Sequence, residues 1–106
     1  MAELLTTFDA SGLDRIGLAL SDPIRRAILV ELLSGSACPS DLADRVNTSR
    51  SNLSNHLACL RGCGLIKAER AGRYLHYELV NNELADALRM LLSQVANLPE
   101  CEEHRP

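Results

Sequence analysis

Residues 49–66 read Ser49-Arg50-Ser51-Asn52-Leu53-Ser54-Asn55-His56-Leu57-Ala58-Cys59-Leu60-Arg61-Gly62-Cys63-Gly64-Leu65-Ile66. Thr48 or Ser49 can cap a helix here, and Gly64 marks its exit. At about 100° per residue, Leu53, Leu57 and Leu60 fall in one narrow stripe that packs inward. Ser51, Ser54, Asn55 and Ala58 lie opposite. Small hydroxyl and amide side chains on such a face can approach base edges and phosphates. Arg50 and Arg61 flank the stripe, where they can hold a phosphate backbone. A plain amphipathic surface helix carries the same stripe, so the neighbouring segments must decide.

Upstream, Ala10 to Leu20 places Leu13, Ile16, Gly17 and Leu20 at helical spacing. Asp22-Pro23 then offers an N-cap and a first-turn proline. Ile24, Ala27, Ile28, Leu29, Leu32 and Leu33 follow, and Gly35 ends that helix. A short helix fits Pro39 to Val46. Downstream, Leu65–Arg70 and Tyr74–Val80 alternate as two strands, with Ala71-Gly72-Arg73 as their turn. A last helix starts near Asn81 or Asn82, carries Leu84, Leu88, Leu91, Leu92 and Val95, and stops by Pro99. This order predicts a mainly α chain with a small β-hairpin, a winged helix-turn-helix. Its third and fourth helices form the reading pair, and Arg70 and Arg73 flank the wing tip. The expected organisation is a tail at 1–9, a domain at 10–97 and a C-terminal tail at 98–106.

The bulk composition is consistent with that reading. The chain has 106 residues, 46% of them apolar, with aromatic side chains only at Phe8, Tyr74 and Tyr77. One domain with an aliphatic core follows, and a domain this small gains from a dimer that extends its core. No apolar run is long enough to span a bilayer and no signal-peptide pattern opens the sequence, so a cytoplasmic protein without membrane contact is expected. Thiols stay reduced there, and four cysteines point to metal or redox chemistry before disulfides. The net charge of −3 argues against nucleic acid until its distribution is examined. Arg45 to His76 holds six basic residues and one acidic, a local +5, while the remainder carries −8. Affinity for DNA depends on that local basic surface.

Cys59 and Cys63 share one side of the fourth helix with Asn52 and His56, about 100° from the leucine stripe. They are therefore not central core positions. Their Cβ atoms, four residues apart, sit about 5–6 Å from each other, too far for an unstrained disulfide. A metal ion between two sulfurs fits that gap. Two ligands alone make a weak site, so a third must come from elsewhere.

Leu20-Ser-Asp-Pro-Ile-Arg-Arg-Ala-Ile-Leu29, the run from Ser49 to Ile66, and Glu69-Arg-Ala-Gly-Arg-Tyr-Leu-His-Tyr77 together resemble the ArsR/SmtB family of metal-responsive repressors. The likeness covers most of residues 13–95. The Ser-Asn-His-Leu-x-Cys-Leu-Arg-Gly-Cys-Gly-Leu run is similar to the actinobacterial cadmium- and lead-sensing branch, the CmtR type. The resemblance implies a homodimer paired through its first and last helices, which closes double-stranded operator DNA when free of metal. It also implies a sensing site made of Cys59, Cys63 and a tail cysteine, here Cys101; His104, three residues further on, is a candidate extra ligand by its position. By the same resemblance, Ser49, Arg50, Ser51, Ser54, Asn55, His56, Arg61, Arg70 and Arg73 are candidate DNA contacts, with packing as the alternative for His56. Other family sites fit poorly: Cys38 precedes Asp41-Leu42 without the second cysteine of a Cys-x-Cys pair, and the last helix offers Asp86 but no histidine.

Three thiolates select thiophilic ions over magnesium or calcium. Cd(II) or Pb(II) is the expected effector, with Zn(II) if a fourth ligand joins. A thiol-based redox-sensing repressor on the same fold is the nearest rival, since Cys59 lies close to Arg61. No oxyanion-hole arrangement, cofactor fingerprint or substrate cleft supports an enzyme built on Cys59 and His56. A protein-binding winged helix is opposed by the basic strip.

Overall fold

The computed structural model describes residues 10–99. Five helices and one hairpin follow in the expected order: α1 (Ser11–Leu20), α2 (Pro23–Leu32), α3 (Pro39–Arg45), α4 (Arg50–Gly62), β1 (Ile66–Ala71), β2 (Tyr74–Leu79) and α5 (Asn82–Ala96). This is a winged helix-turn-helix.

Side-chain caps set three of the helix starts. The Asp22 carboxylate accepts from Ile24 N at 2.8 Å and Arg25 N at 3.2 Å, with Pro23 in the first turn of α2. The Ser49 hydroxyl accepts from Asn52 N at 3.0 Å, and the Asn81 amide oxygen from Leu84 N at 2.8 Å. Desolvation works against ionisation of Asp22, but the N–H groups of Arg25 and Ile24, with the charges of His56 and Arg25, hold its carboxyl below the usual carboxylate range.

The turn between α3 and α4 decides how the reading helix is presented. Thr48 N donates to Ala43 O at 3.0 Å and Asn47 N to Asp44 O at 3.3 Å, the two bonds of a Schellman ending. Asn47 takes the left-handed conformation that this ending needs, with φ +56°. The same device closes α4, where Leu65 N donates to Leu60 O at 3.1 Å and Gly64 has φ +80°. A Cβ-bearing residue without a polar side chain is strained in this region by about 1–2 kcal/mol, part of which Asn already carries. Asn47→Ala is therefore expected to lower stability by about 1 kcal/mol and Asn47→Gly to leave it nearly unchanged. Urea unfolding of the three proteins checks this.

The core is aliphatic. Ile28 and Leu29 of α2, Leu42 of α3, and Leu53 and Leu60 of α4 are its largest fully buried side chains. The hairpin pairs Ile66 with Leu79 through to Ala71 with Tyr74. Its turn is thus the two residues Gly72-Arg73, one shorter than expected, with Gly72 at φ +64° as such turns require. Ala37 and Tyr77 exchange backbone hydrogen bonds of 2.9 and 2.8 Å. That bridge ties β2 to the segment entering α3.

α1 and α5 reach this core through few residues. Ala19 is the buried residue of α1 and Ala85 that of α5. Leu13 and Leu18 on α1, and Met90, Leu91, Leu92 and Val95 on α5, are each about half exposed or more. The helical spacing of Leu13, Leu91, Leu92 and Val95 was legible, but they face outward in a single chain. An apolar cleft of about 220 Å³ between α2 and α5 is lined by Leu29, Val30, Leu33, Leu88 and Leu92. No helix among the described residues is long and apolar enough to cross a membrane.

Candidate nucleic-acid interface and thiol pair

The outer face of α4 carries Ser51, Ser54 and Asn55, all exposed. An open groove of about 390 Å³ separates this face from the wing, with Arg50, Ser51 and Ser54 on one wall and Leu75 and Tyr77 on the other. The hydroxyl of Ser49 serves the helix cap, and Asn52 Nδ2 donates to Thr48 Oγ1 at 2.8 Å. The first turn of the reading helix is therefore held by its own side chains.

The basic strip is narrower than the sequence suggests. Arg45 Nη1 lies 3.9 Å from the Glu31 carboxylate, and Lys67 Nζ lies 3.3 Å from Glu78 and 3.8 Å from Glu69. These two charges have carboxylates beside them that offset part of their field. Arg50, Arg61, Arg70 and Arg73 are exposed and form no ion pair among the described residues. Arg50 and Arg61 mark the two ends of α4, and Arg70 and Arg73 the wing tip. Unneutralised arginines of this kind displace counterions from a phosphate backbone.

His56 differs from its neighbours on α4. Its side chain is 14% exposed and faces the start of α2. Nδ1 lies 3.3 Å from Arg25 Nη1, and Nε2 lies 3.7 Å from Asp22 Oδ1. The guanidinium can only donate, so Nδ1 is the acceptor in this contact, and Nε2 faces the carboxylate. This placement favours packing for His56 over the DNA-contact role expected beside Ser54 and Asn55. Periodicity put His56 on the right side of the helix but could not reveal a partner 31 residues earlier. Asp22 was legible only as a cap, and nothing local marked Arg25.

Cys59 and Cys63 close α4. Both thiols are free and half-buried, and Cys63 N donates to Cys59 O at 3.0 Å. Burial pushes the Cys63 thiol up, and the charge and hydrogen bond of Cys59 add to that effect. Arg15 on α1 and Arg25 on α2 pull the other way. Two soft donors thus stand side by side at the end of the reading helix, near the α1 surface. A protonated thiol is a poor nucleophile, whereas a thiophilic cation takes the proton's place. The donor type and spacing fit such a cation. No third histidine, cysteine or carboxylate joins the pair among the described residues. Cys101 and His104 lie outside the described residues.

Cys38 stands apart, with its Sγ 3.3 Å from Ser40 Oγ at the start of α3. His76 is half-buried, opposite Glu69 across the hairpin. Asp86 is occupied by Arg89 at 3.3 Å.

Comparison with known proteins agrees with this architecture. The family model described as bacterial regulatory protein, arsR family, matches residues 22–68. The HTH-type transcriptional regulator CmtR of Mycobacterium tuberculosis is 51% identical over 85 residues, which cover 80% of this chain and 72% of that protein. The transcriptional repressor SdpR of Bacillus subtilis is 35% identical over 75 residues, covering 71% and 83% respectively. Among solved structures, that of the cadmium metal-sensor CMTR from Mycobacterium tuberculosis superposes with a TM-score of 0.69 at 46% identity, covering 88% of this chain and 94% of that one. A homodimeric winged helix-turn-helix DNA-binding domain from Mycobacterium bovis superposes with a TM-score of 0.75 at 26% identity, covering 88% and 85%. An exposed reading helix beside an arginine-tipped wing, shared over most of their length with proteins that control transcription, places this chain in the ArsR family of bacterial regulatory proteins, as a transcriptional regulator and not an enzyme.

Proposed function

We propose that the protein is a homodimeric repressor that holds double-stranded operator DNA when free of metal and releases it on binding Cd(II) or Pb(II). The observation that carries this reading is the position of the paired thiols Cys59 and Cys63, on the same helix that presents Ser51, Ser54 and Asn55. The likeness to a cadmium metal-sensor supports cadmium as the effector. Lead follows from the same soft-donor chemistry, and Zn(II) requires a fourth ligand such as His104. Cys101 supplies the third sulfur. Such a regulator works in the bacterial cytoplasm, where operator and reduced thiols are both found.

In the metal-free state, Ser51, Ser54 and Asn55 meet base edges and phosphates while Arg50, Arg61, Arg70 and Arg73 hold the backbone. Ser49 fixes the helix start and can share a phosphate. The apolar stripes of α1 and α5 pair with those of a second copy, which sets the two reading helices about one DNA turn apart. A cation bound to the thiolates ties the tail to the end of α4 and draws that helix out of register with the groove.

One titration tests the reading. Cd(II) added to reduced protein should produce sulfur-to-metal absorption saturating at one ion per chain. Operator anisotropy should fall in the same tube, with affinity reduced by about 5–150-fold, the range of an ordinary coupling energy. Operator affinity should also fall steeply with added salt, as a surface built on four free arginines requires. Full retention of operator by the loaded protein contradicts the proposal. Release by peroxide without metal would identify the redox regulator instead.

A further inference from the structure

The paired thiols and the DNA-facing serines occupy different turns of α4, and one side chain from another helix grips the helix between them. Arg25 donates from Nη1 to His56 Nδ1 at 3.3 Å. From its other nitrogens it donates to Ala19 O at 3.2 Å, Leu18 O at 2.8 Å and Ser21 Oγ at 3.0 Å. Its own backbone N–H is held by Asp22, whose carboxylate lies near the far side of the His56 ring. Arg25 therefore joins three helices: α2, which carries it, the carbonyl end of α1, and the middle of α4. The planar guanidinium meets these partners at fixed angles, which a lysine ammonium cannot do.

We propose that Arg25, acting through His56, is the positioning residue that transmits the state of the thiol pair to operator affinity. This rests on the metal-release reading above and names its internal route. His56 lies three residues before Cys59 and two after Ser54. A displacement of the Cys59 end therefore passes His56 before it reaches the DNA-facing turn. Because Arg25 is anchored on α1 carbonyls, the contact refers the reading helix to the helix whose apolar face meets the second copy. The distance between the two reading helices of a dimer is thus set at this contact. Without it, α4 responds to the thiols alone, with no fixed relation to its counterpart.

The test compares full-length wild type with Arg25→Gln, His56→Leu and His56→Gln. Each protein is titrated with Cd(II) for sulfur-to-metal absorption, and operator affinity is measured with and without Cd(II). The decisive quantity is the ratio of those two affinities. Arg25→Gln and His56→Leu should still take up Cd(II), yet the ratio should fall from about 5–150 to near one. His56→Gln keeps an oxygen that accepts from Arg25 and should restore most of the ratio. A role limited to stability, or a direct contact from His56 to DNA, would weaken both affinities equally and leave the ratio at its wild-type value. That result in His56→Leu overturns the proposal, even if Arg25→Gln does not fold. A ratio of one in wild type itself rejects the metal-release reading and this route with it, so the two failures are told apart.

Discussion

Cys59→Ser is expected to keep its operator and lose its response to metal. The thiol is half-buried beside the core, not within it, and serine preserves its size, so the variant should fold and unfold much as the wild type does. The outer face of α4 and the four free arginines are untouched, so metal-free operator affinity should stay within about twofold of wild type, a change worth under 0.5 kcal/mol. With one soft donor removed, the remaining sulfurs hold a cation too weakly to compete with solvent and buffer. The affinity ratio with and without Cd(II), about 5–150 in the wild type, should collapse to near one. Cys101→Ser should behave in the same way, because the proposed site loses one sulfur in either case. Paired absorption and anisotropy titrations provide the measurement. Metal-induced release that persists in Cys59→Ser at the wild-type Cd(II) concentration would exclude the thiol pair as sensor. If Cys101→Ser alone keeps the response, the third ligand lies elsewhere and the tail is not the tether.

Residues 49–66 carried most of the information because they satisfy two independent constraints. The leucine stripe of α4 had to be buried, and Leu53, Leu57 and Leu60 are each 3% exposed or less. The serines and asparagine opposite had to be exposed, and they are. Local rules also located the cap at Asp22 and narrowed the others to Thr48 or Ser49 and to Asn81 or Asn82, since an N-cap depends on its own side chain and the next few N–H groups. What local rules missed involves long-range pairing. The Arg25–His56 contact spans 31 residues and the Ala37–Tyr77 bridge spans forty. Neither leaves a periodic trace. The Asn47 turn was missed for a different reason. Asn is one of the few non-glycine residues that adopt positive φ, but a single Asn before Thr-Ser reads equally well as a capping segment. The basic strip was legible as charge, yet its division into partly offset and free side chains came only from which carboxylates fold beside it.

The thiol site is the most incompletely legible part. Spacing placed Cys59 and Cys63 together, and the structure keeps them together at the end of α4. The third donor cannot be derived from periodicity, because residues 100–106 carry no helical or strand pattern from which a position could be read. Its assignment to Cys101 rests on family resemblance, and the substitution above tests that assignment directly.

Placing a glutamate at Leu91 should split the dimer and remove most of the operator affinity. α5 runs for fifteen residues, yet its buried residue is a single alanine. Leu91 is 52% exposed and Val95, one turn on, is 56% exposed, while α1 offers Leu13 at 70%. A patch of this kind on an isolated chain marks a surface meant to be covered. A second copy is its proposed occupant, since the same two helices on each copy can cover one another. Burying a leucine fully is worth about 1.5–3 kcal/mol, and burying an unpaired carboxylate in its place costs several more. The pairing should not survive that change. A monomer meets only one half-site and forfeits the gain from linking two binding events, which is about 10²–10⁴-fold in operator affinity. Leu13→Glu on α1 should have the same effect from the other side of the interface, and its high exposure leaves the fold of each chain intact. Sedimentation equilibrium gives the mass and anisotropy gives the affinity for each variant. Two variants that remain dimeric and bind operator as tightly as wild type would show that the α1 and α5 faces serve some other partner.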